Sequence, residues 1–187
     1  KVELDLRLSQ DGELIVLHDE TLNRTSNGNG HVRDFHSEQL SQLDARSTLP
    51  HWPNLTGIPT LKSVLMDWPN LESIQLEVKS TIPSELKTIA VKLHQIIEEF
   101  EIEEQAIVTS SHKGFLNMSR HQGHHIAHGF VAERFCRNPI GIVKNLHCQY
   151  LIANYRLLNQ ETVDRAHENE IYVSAWTVNK TDEAFRL

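Results

Sequence analysis

Residues 1–19, KVELDLRLSQDGELIVLHD, decide the fold of this chain, because they predict an alternating strand followed by a short hairpin. On a strand, side chains two positions apart point to the same side, roughly 7 Å from each other. Glu3 and Asp5 therefore share one face of a strand predicted over residues 2–8. Two carboxylates at this spacing can hold one hard divalent cation. A half-buried strand also carries charged residues on its solvent-facing side without any function, so both interpretations stay open.

The hairpin brings a histidine to the end of the second strand. Asp11 and Gly12 form a turn signal, and residues 13–17 predict a short apolar strand that pairs back on the first. His18 and Asp19 follow directly after it. Since the unperturbed imidazole titrates near neutrality, His18 is a candidate for proton transfer.

Strand and helix patterns alternate along the rest of the chain. Further strands are predicted at residues 73–78, 106–110, 126–132, 150–153 and 171–177. Helices are predicted at residues 84–100 and 160–168, at 61–68 with Thr60 as the N-cap, and at 37–43 with Ser37 as the N-cap. This alternation indicates parallel strands with right-handed crossovers, and hence an α/β sheet or barrel.

Composition limits the possible functions. A chain of 187 residues with 39% hydrophobic content predicts one domain, residues 1–187, with a single sizeable core. The formal net charge of -7 argues against a nucleic-acid partner.

No apolar run approaches the length of a transmembrane helix. Cys136 and Cys148 fit no metal or redox spacing, which is compatible with a reducing, cytoplasmic compartment.

Five short sequence motifs follow one another along the chain. They are E-x-D from Glu3, H-D-x-x-L-x-R-T-x-N-G-x-G from His18, I-P-T-L-x-x-V-L from Ile58, L-E-x-K ending at Lys79, and W-T-V-N from Trp176. This ordered set resembles the glycerophosphodiester phosphodiesterase family over nearly the whole chain.

The resemblance implies an α/β fold of the (β/α)8 TIM barrel type. Compared with this barrel, the 187 residues would lack the last β/α unit and the first strand, which carries an H-R-G motif in the family. We therefore expect either a fragment of the barrel or a chain whose two ends are missing from the sequence. Residues 19–59 would form a small insertion after the first displayed strand, lying over the barrel mouth as a substrate cap. A surface excursion that only shields one end of the barrel is the alternative.

The resemblance also implies a metal site formed by Glu3, Asp5 and Glu77. Three carboxylates that converge without a cation would repel one another and raise one another's pKa values, so a metal is expected on physical grounds too. All-oxygen ligation favours Mg²⁺ or Ca²⁺ over zinc. The alternative for Glu77 is a buried acid paired with Lys79.

The remaining implied site residues are His18 as acid or base, Lys79 beside the substrate phosphate, and Trp176 in the substrate pocket. Core packing is the alternative for Trp176. His121, His124, His125 and His128 have a spacing that suits a metal on a helix, but Gly123 interrupts it, so we predict loop and surface positions for these histidines.

The function implied is metal-dependent hydrolysis of small glycerophosphodiesters to glycerol 3-phosphate and an alcohol, within lipid and glycerol metabolism. Two alternatives stay open: a catalytically impaired barrel that acts as a binding protein, and a sphingomyelinase-D-like phospholipase. The second is disfavoured because those relatives use disulfides near the mouth, and neither Cys136 nor Cys148 lies in the early loop. The sequence does not indicate an oligomeric state.

Overall fold

The computed structural model describes residues 1–46, 52–122 and 125–187. The chain divides into two compact units, Lys1–Ala106 and Ile107–Leu187. Strands and helices alternate through both units, as predicted for an α/β protein.

The first unit is built around strand β1 (Val2–Leu8). Strand β2 (Leu14–Val16) runs antiparallel to it and completes the predicted hairpin. On its other side β1 pairs in parallel with β3 (Ile74–Val78), in a register that sets Asp5 opposite Glu77. The strands predicted at residues 2–8, 13–17 and 73–78 are therefore confirmed.

Three helices belong to the first unit: α1 (Ser37–Ser41), α2 (Leu61–Asp67) and α3 (Pro83–Glu99). A 3-10 turn covers Val32–Asp34. The predicted cap of α2 is confirmed, since the Thr60 hydroxyl accepts a hydrogen bond from the Ser63 amide at 3.1 Å. The apolar stripe predicted for α3 is buried and comprises Leu86, Ile89, Ala90, Leu93, Ile96 and Ile97.

The predicted cap of α1 was wrong by one residue. His36 is the N-cap, and its amide donates to the Gln39 side chain at 2.9 Å. Ser37 instead donates to the Asp11 carboxylate, from its amide at 2.9 Å and from its hydroxyl at 2.7 Å. This long-range contact fixes the start of α1 to the turn of the hairpin.

Within residues 19–46 and 52–59, the segment between β2 and α2 is packed around apolar side chains. Its buried members, together with Ile15 of β2, are Leu22, Val32, Leu40 and Ile58. The backbone of Gly57 lies so close to that of Ser41 that a Cβ at position 57 would be 1.9 Å from the Ser41 carbonyl oxygen. The segment therefore packs as an ordered layer against β2.

From its second residue onward, strand β4 (Ala106–Ser110) belongs to the second unit. Three parallel strands follow it, β5 (Ala127–Ala132), β6 (Tyr150–Asn154) and β7 (Tyr172–Trp176), and the four pair in that order. The helices of this unit are α4 (Lys113–Arg120), α5 (Pro139–Asn145), α6 (Gln160–His167) and α7 (Thr181–Arg186). A 3-10 turn, Tyr155–Leu157, follows β6. The four predicted strands in this part of the chain are confirmed.

The prediction for the histidine cluster was wrong at His128. This residue lies on β5 and is 1% exposed, with Nε2 at 2.9 Å from the Ser119 hydroxyl and Nδ1 at 2.9 Å from the Ile126 carbonyl oxygen. His121 and His125 are exposed, as predicted, whereas His124 lies outside the described residues. His128 is buried because its side chain faces helix α4, where the Ser119 hydroxyl is its polar partner.

Both cysteines carry free thiols, and burial raises the pKa of Cys148 to about 11. Among the described residues, no helix is both long enough and apolar enough to cross a membrane.

Candidate active site

Three carboxylates converge on one point of the first unit. Parallel pairing places Asp5 beside Glu77, and the period of two along β1 places Glu3 on the same face as Asp5. One oxygen from each of Glu3, Asp5 and Glu77 lies within 4.8 Å of the others. Oxygens at this spacing can close around a single cation with small side-chain rotations.

An ammonium group lies against this carboxylate cluster. Lys79, directly after β3, places Nζ at 2.7 Å from Glu77 Oε1 and at 3.2 Å from Asp5 Oδ1. The side chains of Lys79, Asp5 and Glu77 are only 22%, 18% and 11% exposed. When all groups are ionised, three negative charges face one positive charge, so the cluster retains two negative charges, the complement of a divalent cation.

The electrostatics of the carboxylate cluster are unfavourable without such a cation. Burial of the carboxyl group, together with the charges of Asp5 and Glu77, raises the pKa of Glu3 to about 7. Burial also raises the pKa of Glu77, although the hydrogen bond and charge of Lys79 oppose it. For Lys79 itself, burial lowers the pKa, but Glu77 and Asp5 outweigh burial and the net change is upward. A bound cation would therefore displace a proton from this cluster near neutral pH.

His18 is exposed at the end of β2 and is held through one ring nitrogen. Its Nδ1 lies 2.8 Å from Asp19 Oδ1. Arg24 binds the same carboxylate in bidentate fashion, with Nε at 2.6 Å from Oδ2 and Nη2 at 2.8 Å from Oδ1. Hydrogen bonds from Arg24 and His18 hold the pKa of Asp19 well below its usual range. The Asp19 carboxylate thus stays ionised and leaves Nε2 of His18 as the ring nitrogen open to other groups.

Arg7 forms hydrogen bonds to the backbone of both His18 and Lys79. It lies on the same face of β1 as Glu3 and Asp5, and its Nε and Nη2 donate to the His18 carbonyl oxygen at 3.1 and 2.9 Å. Its Nη1 donates to the Lys79 carbonyl oxygen at 3.4 Å. The strand that carries two of the carboxylates therefore also fixes the backbone of His18 and Lys79.

Trp176 is the last residue of β7, in the second unit, opposite Asn154 of β6. Its indole Nε1 donates to the Ile152 carbonyl oxygen at 3.2 Å, and the side chain is half-buried. This hydrogen bond fixes the orientation of the ring and leaves part of it accessible.

Sequence reasoning did not identify Arg7, Asp19 or Arg24 as parts of the site. Asp19 and Arg24 stand inside the H-D-x-x-L-x-R-T motif, so the motif marks their positions without giving their roles. Arg7 continues the alternation of Glu3 and Asp5, and that spacing was the available signal.

Comparison with known proteins identifies the family. The family model described as Glycerophosphoryl diester phosphodiesterase family matches residues 1–187. A glycerophosphodiester phosphodiesterase from Caldanaerobacter subterraneus subsp. tengcongensis is 29% identical over 187 residues, which cover 100% of this chain and 76% of that protein. Another from Bacillus altitudinis is 31% identical over 182 residues, covering 95% of this chain and 74% of that protein.

A solved structure shares the fold. A phosphodiesterase from Oleispira antarctica, determined in complex with the product sn-glycerol-3-phosphate, superimposes with a TM-score of 0.87 at 21% identity. The match covers 98% of this chain and 74% of that chain. This likeness confirms the predicted α/β barrel fold class. With the family model matched from end to end, the chain belongs to the glycerophosphoryl diester phosphodiesterase family.

Proposed function

We propose that this protein hydrolyses glycerophosphodiesters to glycerol 3-phosphate and an alcohol, with one divalent cation, Mg²⁺ or Ca²⁺, held by Glu3, Asp5 and Glu77. Family membership supports the activity. The observation that carries the proposal is the convergence of three carboxylate oxygens within 4.8 Å of one another. The donors are all oxygens, which suits a hard cation.

The donor set fits the cation in charge as well as in chemistry. The carboxylate cluster keeps two negative charges after Lys79 is counted. Burial, and after it repulsion from Asp5 and Glu77, raises the pKa of Glu3, and a cation would relieve that repulsion. Glu3, Asp5 and Glu77 would hold the cation, which would supply polarisation of a phosphoryl oxygen and so lower the charge cost of the transition state.

Lys79 supplies fixed positive charge beside the substrate phosphate. Its ammonium is oriented by Glu77 at 2.7 Å and Asp5 at 3.2 Å, so little reorganisation is needed when negative charge develops on the phosphoryl oxygens. An ammonium with three donors can keep a carboxylate contact while it donates to phosphate.

His18 transfers a proton through Nε2. Asp19 engages Nδ1 at 2.8 Å, and Arg24 holds Asp19 with two short contacts. Asp19 and Arg24 are positioning residues in this scheme, because they select the tautomer and orientation of the imidazole without touching substrate.

Two further roles belong to the same proposal. Residues 19–59 act as a family-type insertion over the barrel mouth, supported by the ordered packing of Leu22, Val32, Leu40 and Ile58. Trp176 contacts the substrate, supported by the W-T-V-N resemblance and by the hydrogen bond that fixes its indole.

The activity is tested by ³¹P NMR on the protein with glycerophosphocholine and Mg²⁺ or Ca²⁺. We expect the diester signal to be replaced by that of glycerol 3-phosphate, and turnover to stop in excess chelator. A cyclic phosphate product would favour the sphingomyelinase-D-like alternative, and saturable binding without turnover would favour a binding protein. Full turnover in excess chelator would remove the cation from the mechanism.

A further inference from the structure

We propose that a recess in the second unit, lined by Arg137, Arg156 and Arg165, binds a small phosphate-bearing dianion. The recess has a volume of about 290 Å³ and also contacts Cys136, Asn138 and Thr162. It shares no residue with the carboxylate cluster or with His18, so the proposal goes beyond the function given above.

The charge of this recess, called here the arginine recess, contrasts with that of the chain. The protein carries a formal net charge of -7. Arg137, Arg156 and Arg165 nevertheless open on one recess, and in the part of the chain that the structure describes none of the three forms an ion pair with a carboxylate. Three guanidinium groups without counter-ions in one concavity concentrate positive potential there and favour an anion with more than one charge.

The geometry of Arg156 is set before any ligand binds. Its Nε donates to the Tyr155 hydroxyl at 3.2 Å, and its guanidinium lies over the Tyr155 ring, 5.4 Å from the centroid. Because this contact restrains the side chain, less conformational entropy is lost when an anion binds. Planar guanidinium forks match the oxygens of a phosphate better than an ammonium does.

The place of the arginine recess in the fold supports ligand binding. Arg137 lies in the loop that follows β5, and Arg156 lies in the 3-10 turn that follows β6. Ligands of α/β proteins bind outside the carboxyl ends of the strands, where these two segments begin. The volume of about 290 Å³ accommodates a phosphate with a small organic group.

The test is an NMR titration of the protein with inorganic phosphate in the presence of chelator, at constant ionic strength. Arginine Nε–H signals and backbone amides of the arginine recess should shift along a saturable curve. Arg137→Gln and Arg165→Gln should each weaken binding roughly 10-fold, the worth of one charge-assisted hydrogen bond. The matched control is Arg134→Gln, an exposed arginine three residues from Arg137 that does not line the recess, and it should leave the affinity within about twofold.

Titrations of the protein with two further ligands distinguish the possible sources of the phosphate group. Glycerol 3-phosphate represents a soluble monoester, and phosphatidic acid in phosphatidylcholine vesicles represents a lipid head group. Saturable binding of either source that weakens in Arg137→Gln supports the proposal and identifies the source. Equal weakening by Arg134→Gln would mean diffuse surface electrostatics and would overturn it, as would unchanged recess signals in the wild-type protein. Neither result bears on hydrolysis, which is measured separately.

Discussion

Removing the ammonium from the carboxylate cluster should destabilise the metal-free protein far more than removing a surface lysine. In Lys79→Met, the Glu77 carboxylate, whose side chain is 11% exposed, loses its partner at 2.7 Å, and Asp5 loses one at 3.2 Å. Breaking a buried ion pair costs about 3–5 kcal/mol, and the residual exposure here favours the lower end, roughly 3 kcal/mol. For a chain of this length, that corresponds to a fall in Tm of roughly 6–12 °C.

The matched control is Lys62→Met. Lys62 contacts Glu99 at 2.6 Å, a distance as short as that of the Lys79 pair, but the two side chains are 33% and 53% exposed. An exposed pair of this kind contributes about 0–1 kcal/mol, so Tm should fall by no more than roughly 4 °C. The substitution and the shortest ion-pair distance are nearly the same in the two variants. The comparison therefore contrasts a largely buried ammonium with two carboxylate partners and an exposed ammonium with one.

The assay is thermal unfolding in chelator and in excess Mg²⁺ or Ca²⁺. Burial already raises the pKa of Glu77, so without Lys79 this group protonates more readily and the loss of stability should be larger at pH 8 than at pH 6. Added cation should narrow the difference between Lys79→Met and wild type, because it supplies the missing positive charge. Equal Tm values for Lys79→Met and Lys62→Met in chelator, or a difference that the cation leaves unchanged, would refute this reasoning.

Three further predictions concern the roles of individual residues. His18→Ala should lower turnover by roughly 10² to 10⁴ with metal affinity nearly unchanged, whereas Glu3→Gln should weaken metal binding first. Glycerol 3-phosphate release, measured across a metal titration, distinguishes the two variants. If excess metal rescued His18→Ala, the roles assigned to His18 and Glu3 would be reversed. Asp19→Asn should lower kcat more than it raises KM, and Asp19→Glu should recover part of the loss, while a KM effect alone would place Asp19 in substrate binding. The pKa of Asp19 in the folded protein lies below its unfolded value of 3.8. The Asp19 carboxylate therefore stabilises the fold above pH 3.8, and this stabilisation is lost as the pH falls through the folded-state pKa. The Tm difference between Asp19→Asn and wild type should vanish in strong acid.

The elements that the sequence predicted well are those fixed by local periodicity. The alternation of residues 2–8 and the apolar stripe of α3 follow directly from periods of 2 and 3.6, and both elements formed within one residue of the predicted limits. The register that sets Asp5 opposite Glu77 then brings together carboxylates that are 72 residues apart in the chain. Motif order indicated this convergence, but periodicity alone did not.

The features that the sequence did not predict depend on contacts between distant residues. Ser37 is a good N-cap by residue type, but the Asp11 carboxylate binds it and moves the cap to His36. His128 is buried because Ser119 of a neighbouring helix meets its ring. Arg7 joins the backbone of His18 to that of Lys79 through side-chain geometry that no spacing rule encodes.

The central claim is that Glu3, Asp5 and Glu77 bind one divalent cation, and anomalous diffraction from crystals soaked in Mn²⁺ tests it most directly. Mn²⁺ accepts the same oxygen ligands as Mg²⁺ and scatters anomalously. We predict one peak in the first unit, with an oxygen of each of the three carboxylates at roughly 2.0–2.6 Å. A peak that lacks Glu77, or no peak at the carboxylate cluster at saturating Mn²⁺, would contradict the account.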